Sequence, residues 1–238
     1  VKKRNYLKNF YLSKGLTSAS TKLFNSVKNK ILNKRINLYE MYGAAEIGTV
    51  TNINLLKEKE KFKSVGKSYH RNIDIKILSD QNKLITNYKA GEIICKTPGK
   101  FKFYLNSKQL NTNAYYKDYF KTGDVGFLDK KNYLYFLSRK KNIIRRSGIT
   151  IYPEDIENIF LKDKKIYEVA VVGKETQNYS HIFLFLKKNN KINENYIKNI
   201  CLKKLSTFQL PNKIIFLKKF PKTNLGKINK KILLSIAK

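Results

Sequence analysis

The stretch YFKTGDVGFLDKKNYLYFLSRKKNIIRRSGITIYPEDIE, residues 119–157, decides the reading of this chain. Two polar turns are expected in it, Lys121-Thr122-Gly123-Asp124 and Ser138-Arg139-Lys140-Lys141, bracketing a β-hairpin pattern with turn chemistry at Asp129–Asn132. A second hairpin reverses around Ser147-Gly148. A helix then starts at Pro153, which suits a first helical position, with Glu154 and Asp155 in the positive first turn. Asp124, at a tight turn, carries a carboxylate able to accept hydrogen bonds from a vicinal diol. Arg139, at the end of the paired strand, is close enough to serve the same ligand, and that pairing suits a ribose.

Upstream, Leu23, Val27, Ile31 and Leu32 recur at helical spacing, so a helix is expected over about 21–33, with Ser18, Ser20 and Thr21 as N-cap candidates. Residues 36–42 (INLYEMY) are short, apolar and aromatic and read as a buried strand, followed by Tyr42-Gly43-Ala44-Ala45-Glu46 as a loop at its end. Short strands follow at 73–78, 91–97, 125–128 and 133–137, with a hairpin turn at Asp80–Lys83. Downstream of residue 141 the pattern mixes strands at 169–172, 181–186 and 214–217 with helices at 192–205 and 228–236, a compact α+β domain. The fold class is therefore mixed α/β and α+β. Residues 1–60 read as the end of a larger α/β domain, 61–140 as a small β-barrel-like subdomain, and 141–238 as a mobile α+β domain.

Hydrophobic residues are 42% of the 238, enough for a buried core. No apolar run approaches the ~20 residues that span a bilayer, and no signal peptide opens the chain. A chain beginning at Val1 rather than Met reads as a fragment. Cys95 and Cys201 sit alone in apolar patterns, the usage of reduced cytoplasmic core thiols. Fifty Lys and Arg against 17 Asp and Glu give a formal charge of +33. Lys is scattered along the whole length, alongside heavy use of Asn, Ile, Tyr and Phe, so the charge reads as compositional and no specific nucleic-acid partner is expected. The competing reading is a basic module for nucleic acid or an anionic surface, supported by the run Arg139–Arg146 with interleaved Ile. His70 and His181 are isolated and build neither a metal cluster nor a triad.

TGD, an Arg-containing turn and then GxxIxPxxIE, in that order, resemble the signature of the adenylate-forming acyl-CoA synthetase and adenylation-domain superfamily. Two further elements resemble it in the same order. Tyr42-Gly43-Ala44-Ala45-Glu46 is similar to the family's YGxTE, with Ala45 in place of the Thr that touches phosphate. Pro221-Lys222-Thr223-Asn224-Leu225-Gly226-Lys227-Ile228 is similar to PxTxxGKxxR/K, with Lys230 or Lys231 near the last basic position. A fainter match is 18–23, where the family has an adenine-binding turn.

The resemblance implies an activity: carboxylate plus ATP gives an acyl-adenylate, and coenzyme A then takes the acyl group as a thioester. It also implies roles. Tyr42, Gly43, Glu46, Asp124 and Arg139 would bind the nucleotide, and Glu46 would help hold Mg²⁺, a hard cation that prefers carboxylate oxygen. Lys227 would be catalytic, a flexible point charge beside the reacting carboxylate and α-phosphate. Lys141 would be the hinge between two domain orientations, and Ser147-Gly148 would border the pantetheine arm. An adenylation enzyme loading a carrier-protein thiol is the alternative, coenzyme A being favoured because the chain ends soon after Lys227. The family's Ser/Thr/Gly-rich phosphate loop and most of its acid pocket have no counterpart here. The chain is therefore expected to be inactive alone and to expose apolar surface around 38–47.

Overall fold

A computed structural model describes residues 15–19, 23, 25–175, 180–224 and 226–237. The chain divides into two compact units: residues up to 23 with 27–136, and residues 24–26 with 137–238.

Among the described residues the first unit holds two sheets. β1 (Leu16–Ser18) pairs in parallel with β2 (Leu38–Ala44), the connection passing through α1 (Asn25–Leu32). β2 turns back antiparallel into β3 (Gly48–Asn54), which pairs with β4 (Lys67–Ser68). The second sheet is built from β5 (Asp74–Leu78), β6 (Leu84–Ile85), β7 (Gly91–Lys96), β8 (Tyr115–Tyr116), β9 (Tyr119–Leu128) and β10 (Leu134–Arg139). Its order is β10-β9-β7-β5-β6, with β8 on β9. Alternate residues Ile75 and Ile77 of β5 and Ile93 and Cys95 of β7 enter one buried cluster with Ile47, Val50, Phe120 and Leu134. That is the period-two pattern of a sheet with one face on a core. α2 (Lys108–Asn113) is a short helix before β8.

Several expectations are corrected here. The helix begins at Asn25, and Ser18 is a strand residue paired with Glu40 rather than an N-cap. Ser20 and Thr21, like residues 20–22 of the fainter adenine-turn match, lie outside the described residues. Tyr42, Gly43 and Ala44 belong to β2 itself, so the loop is shorter than expected. β3 (GTVTNIN) was not foreseen: its Thr and Asn hide a strand signal. The buried Thr51 is accommodated because its hydroxyl donates to the Val65 carbonyl at 2.5 Å. Leu38 and Ile47 are each 1% exposed and Tyr42 is buried, so these large apolar residues of the 38–47 segment are covered rather than bare. The cause is visible in the packing: Leu38 joins Ile31, Ile36, Ile53 and Leu55, and Ile47 joins the β5–β7 cluster.

Glu40 is buried too, and is matched by the equally buried Lys28 of α1, whose ammonium also donates to the Phe62 carbonyl at 3.3 Å. Asp129, at the β9–β10 turn, accepts from the Lys131 and Tyr133 backbone N–H groups at 2.9 Å and pairs with Lys61 at 2.6 Å.

The second unit follows local signals closely. β11 (Ile144–Arg146) and β12 (Ile149–Ile151) form a hairpin. Ser147 and Gly148 turn it, both at positive φ (50° and 76°), as a two-residue primed turn requires. α3 (Pro153–Phe160) starts on its proline. β13 (Val169–Glu175) and β14 (Ser180–Lys187) are antiparallel, and β14 runs parallel to β15 (Lys213–Leu217) after a crossover through α4 (Glu194–Lys204). Asn193 caps α4 by accepting from the Tyr196 N–H at 2.8 Å. α5 (Lys230–Ile236) follows β15. Val169 and Val171 face one apolar cluster with Ile156 and Phe160, while Ala170 and Val172 face another with Phe220 and Leu233. Two covered faces explain why VAVV and IFLFL read as continuous apolar runs. Each unit buries one free cysteine, Cys95 in the first and Cys201 in the second. Among the described residues no helix is long and apolar enough to cross a membrane.

Candidate functional site

The β2–β3 connection is a tight turn, with Ile47 N–H bonding the Ala44 carbonyl at 3.1 Å. A register shift falls between Tyr42 and Gly43, so the strand kinks as it leaves the sheet. A Cβ on Gly43 would stand 2.1 Å from the Gly48 carbonyl oxygen, so close backbone approach already requires glycine there. Just beyond, Glu46 is half-buried. Its backbone carbonyl accepts Phe101 N–H at 2.8 Å, and its Oε1 accepts the Tyr104 hydroxyl at 2.9 Å. Burial, and then this carboxylate, push the Tyr104 phenol up to about 12, so it stays a donor. Tyr104 is held in turn by Asn111, which accepts its N–H at 2.7 Å and donates to its carbonyl at 2.8 Å.

TGD is not a turn. Thr122, Gly123 and Asp124 lie inside β9, where Gly123 at φ 68° makes an irregularity without reversing the chain. The facing strand β7 shifts register there, between Glu92 and Ile94. Thr122 Oγ1 donates to the Ile93 carbonyl at 2.7 Å and accepts the Asp124 N–H at 3.1 Å; Glu92 Oε1 accepts the Gly123 N–H at 3.2 Å. This bulge aims Asp124 inward. Its Oδ2 accepts the Tyr42 hydroxyl at 2.8 Å, across 82 positions of sequence. Tyr42 is 9% exposed and Asp124 3%. Burial first, and the Asp124 charge second, hold the Tyr42 phenol well above its ordinary value.

Two of the expected nucleotide positions, drawn from separate motifs, are thus in direct contact. Among the described residues no group of three or more His, Cys, Asp or Glu could hold a metal. The donor chemistry fits Mg²⁺ in the form that uses one or two carboxylates plus substrate phosphates, with Glu46 as the carboxylate.

In the second unit Arg139 closes β10 and is exposed. Ser138 beside it is fully buried and bonds the Glu154 side chain; burial is the main reason the Glu154 carboxyl is raised. Lys141 stands exposed in a 3₁₀ turn (Lys140–Asn142) and borders a cavity of about 450 Å³ with Ile144, Gly173, Lys230 and Leu234. Open space surrounds the Gly148 Cα where a Cβ would point. Arg146 ties that hairpin to the segment after α4 by donating to the Leu210 carbonyl at 2.8 Å.

Lys227 is exposed near the tip of a small closed loop. Thr223 N–H bonds the Lys227 carbonyl at 2.7 Å, and Lys222 bridges Ile228. Leu225 lies outside the described residues. Of the two candidates for the last basic position, Lys230 is engaged, with Glu157 at 2.8 Å. Sequence reasoning missed Tyr104 and Glu157 as partners of site residues: a phenol 58 positions from its carboxylate leaves no local signal.

Residues 7–105 match the model of the AMP-binding enzyme family, and residues 155–227 that of the AMP-binding enzyme C-terminal domain. A 2-succinylbenzoate–CoA ligase of Listeria innocua is 31% identical over 198 residues, 82% of this chain and 40% of that protein. A long-chain-fatty-acid–CoA ligase of Bacillus subtilis is 31% identical over 201 residues, 83% of this chain and 36% of that protein. The chain thus spans about two fifths of the length of the curated relatives it matches. Among solved structures, o-succinylbenzoate CoA synthetase (MenE) from Bacillus subtilis, in complex with the acyl-adenylate intermediate OSB-AMP, superposes with a TM-score of 0.85 at 23% identity, over 96% of this chain and 48% of that one. ATP-bound MatB from Rhodopseudomonas palustris does so at 0.85 and 22%, over 93% and 45%. These likenesses establish the fold.

Proposed function

Because this chain belongs to the adenylate-forming AMP-binding enzyme family, we propose that it forms the later part of an ATP-dependent acid–thiol ligase. The observation that supports this best is the Tyr42–Asp124 hydrogen bond, which brings positions of two separate motifs into direct contact.

A carboxylate is a poor electrophile, and the reaction makes it a good one. Its oxygen attacks the α-phosphorus of ATP; the bond to pyrophosphate breaks, and an acyl-adenylate forms. A thiol sulfur then attacks the acyl carbon, its proton leaves, and AMP departs. Tyr42 supplies a ring beside the adenine, Asp124 accepts from the ribose hydroxyls, and Arg139 contacts the nucleotide. Mg²⁺, when bound, neutralises phosphate charge, and Glu46 offers it one oxygen while Tyr104 fixes that carboxylate's direction. The Lys227 ammonium faces the charge that builds on the carboxylate and α-phosphate.

Residues 141–238 act as a mobile domain after parts 1–60 and 61–140, pivoting near Lys141. One orientation presents Lys227; the other presents Ser147-Gly148, where the missing side chain leaves room for a pantetheine arm. Relatives named as CoA ligases support coenzyme A as the thiol; a carrier-protein pantetheine is the alternative. Two buried thiols suit a reducing cytoplasm. The charge of +33 gives salt-dependent polyanion binding without a specific nucleic acid.

The test is pyrophosphate exchange with a panel of carboxylic acids, on this chain and on a form extended at the N-terminus. Exchange by the extended form only is the expected result. Robust exchange by the short chain overturns the partial-ligase reading. No exchange by either form, together with tight polyanion binding, favours the basic binding module.

A further inference from the structure

Lys227 stands on a loop whose described residues between Pro221 and Ile228 are polar or glycine. Lys222, Thr223, Asn224, Gly226 and Lys227 are all exposed. The loop is closed internally: Gly226 N–H bonds the Thr223 carbonyl at 2.8 Å, and Asn229 N–H bonds the Pro221 carbonyl at 2.8 Å. Internal closure fixes its shape but not its placement on the domain. Placement comes from its two ends, where Phe220 is buried and Ile228 packs against the same cluster, and where two ion pairs add to that anchoring. Five residues before Lys227, the Lys222 ammonium meets Glu168 Oε1 at 2.7 Å. Three residues after it, the Lys230 ammonium meets Glu157 Oε1 at 2.8 Å.

Both carboxylates are themselves fixed to one strand. Glu168 directly precedes β13 and also pairs with Lys187 at 3.0 Å. Glu157 reaches from α3 to accept the Val171 N–H of β13 at 2.8 Å. Two of only 17 acidic residues therefore flank one loop, in a chain that carries 50 Lys and Arg.

Resting on the reading of Lys227 as the adenylation lysine, we propose that the Lys222–Glu168 and Lys230–Glu157 pairs are positioning contacts: they dock the Lys227 loop on β13 and set the point from which its ammonium acts. Lys222–Glu168 is largely exposed and adds little to stability, while Lys230–Glu157 is part-buried. Misplacing a reacting group by about 1 Å can nonetheless cost on the order of 100-fold in rate. Their signature is thus a rate effect on one half-reaction without a matching loss of fold.

The test compares Lys222→Met, Lys230→Met, their double variant and Lys230→Arg in the full-length ligase. Glu157→Gln is added because it keeps an acceptor for the Val171 N–H while removing the charge. Pyrophosphate exchange should fall roughly 10- to 100-fold in the double variant. Thioester formation from supplied acyl-adenylate should fall far less than exchange in every variant, and the urea midpoint should stay nearly unchanged in Lys222→Met, whose pair is largely exposed. Lys230→Arg should restore most of the exchange, and Glu157→Gln should resemble Lys230→Met. On the 238-residue chain itself, amide exchange at Gly226 and Lys227 should accelerate in the double variant.

Lys227→Ala separates the two levels of inference. If it does not selectively lower pyrophosphate exchange, the reading of Lys227 fails. If it does, and the flanking variants lose both half-reactions equally or neither, the positioning proposal is overturned. Unchanged amide exchange at the loop overturns it as well.

Discussion

Lys28 and Glu40 meet inside the first unit at 2% and 5% side-chain exposure, whereas Lys222 and Glu168 meet on the second at 47% and 21%. The chemistry is the same and the consequences differ. An enclosed pair has lost its water, so each charge depends on the other, and on the Phe62 carbonyl that Lys28 also reaches. A surface pair keeps most of its water and stabilises little, yet it can still dock a segment. The first unit uses scarce carboxylates to let charge inside the fold. The second uses them to fix where an exposed loop sits.

The largest effect expected from this contrast is Lys28→Met, which strands Glu40 and should cost about 3–5 kcal/mol, while Lys28→Met/Glu40→Met together should recover most of it. Lys222→Met should cost about 0–1 kcal/mol on the same urea scale. Equal losses from Lys28→Met and Lys222→Met would erase the distinction between the units.

Asp124→Ala comes next. Removing a charged hydrogen-bond partner should weaken nucleotide binding by about 1.5–3 kcal/mol in the full-length ligase, read by calorimetry. Unchanged affinity in a folded variant would remove Asp124 from the nucleotide face.

Acid sensitivity then probes the first unit. Burial would raise the Asp129 carboxyl, but the Lys61 ammonium and two backbone N–H groups outweigh it and hold the group below its ordinary value. The unfolded chain therefore takes up this proton first. Stability from Asp129 is complete above its unfolded value near 4 and is lost as pH falls toward the folded one, with a slope of at most about 1.4 kcal/mol per pH unit. Asp129→Asn should flatten that limb of the urea-midpoint profile; an unchanged limb would assign it to other acids.

A backbone effect of modest size is expected in the second unit. Gly148→Ala places a Cβ in open space at φ 76°, so strain alone remains, about 1–2 kcal/mol. A larger loss would mean that the turn is packed rather than free.

The same contrast explains what could be read in advance. Pro153, Ser147-Gly148 and the apolar runs of β13 and β14 are signals within a few residues of what they specify, so the second unit was legible almost element by element. The first unit depends on distant partners. Thr122-Gly123-Asp124 has turn composition, yet the pairing of β9 with β7 keeps it in a strand, and a register shift absorbs the irregularity. GTVTNIN looks polar, and only the Val65 carbonyl makes Thr51 acceptable in a core. The identities of Tyr42, Glu46 and Asp124 were legible as motif positions. Their contacts were not, because the Tyr42–Asp124 and Tyr104–Glu46 bonds each join residues more than fifty positions apart.

The two cysteines bring a different consequence. Burial pushes the Cys95 thiol up to about 12 and the Cys201 thiol up to about 11, so both remain protonated and shielded from electrophiles. Each unit thus carries one internal clock that starts only when its own core opens. The two alkylation rates, resolved peptide by peptide in a single sample, report how often each half of the chain breathes.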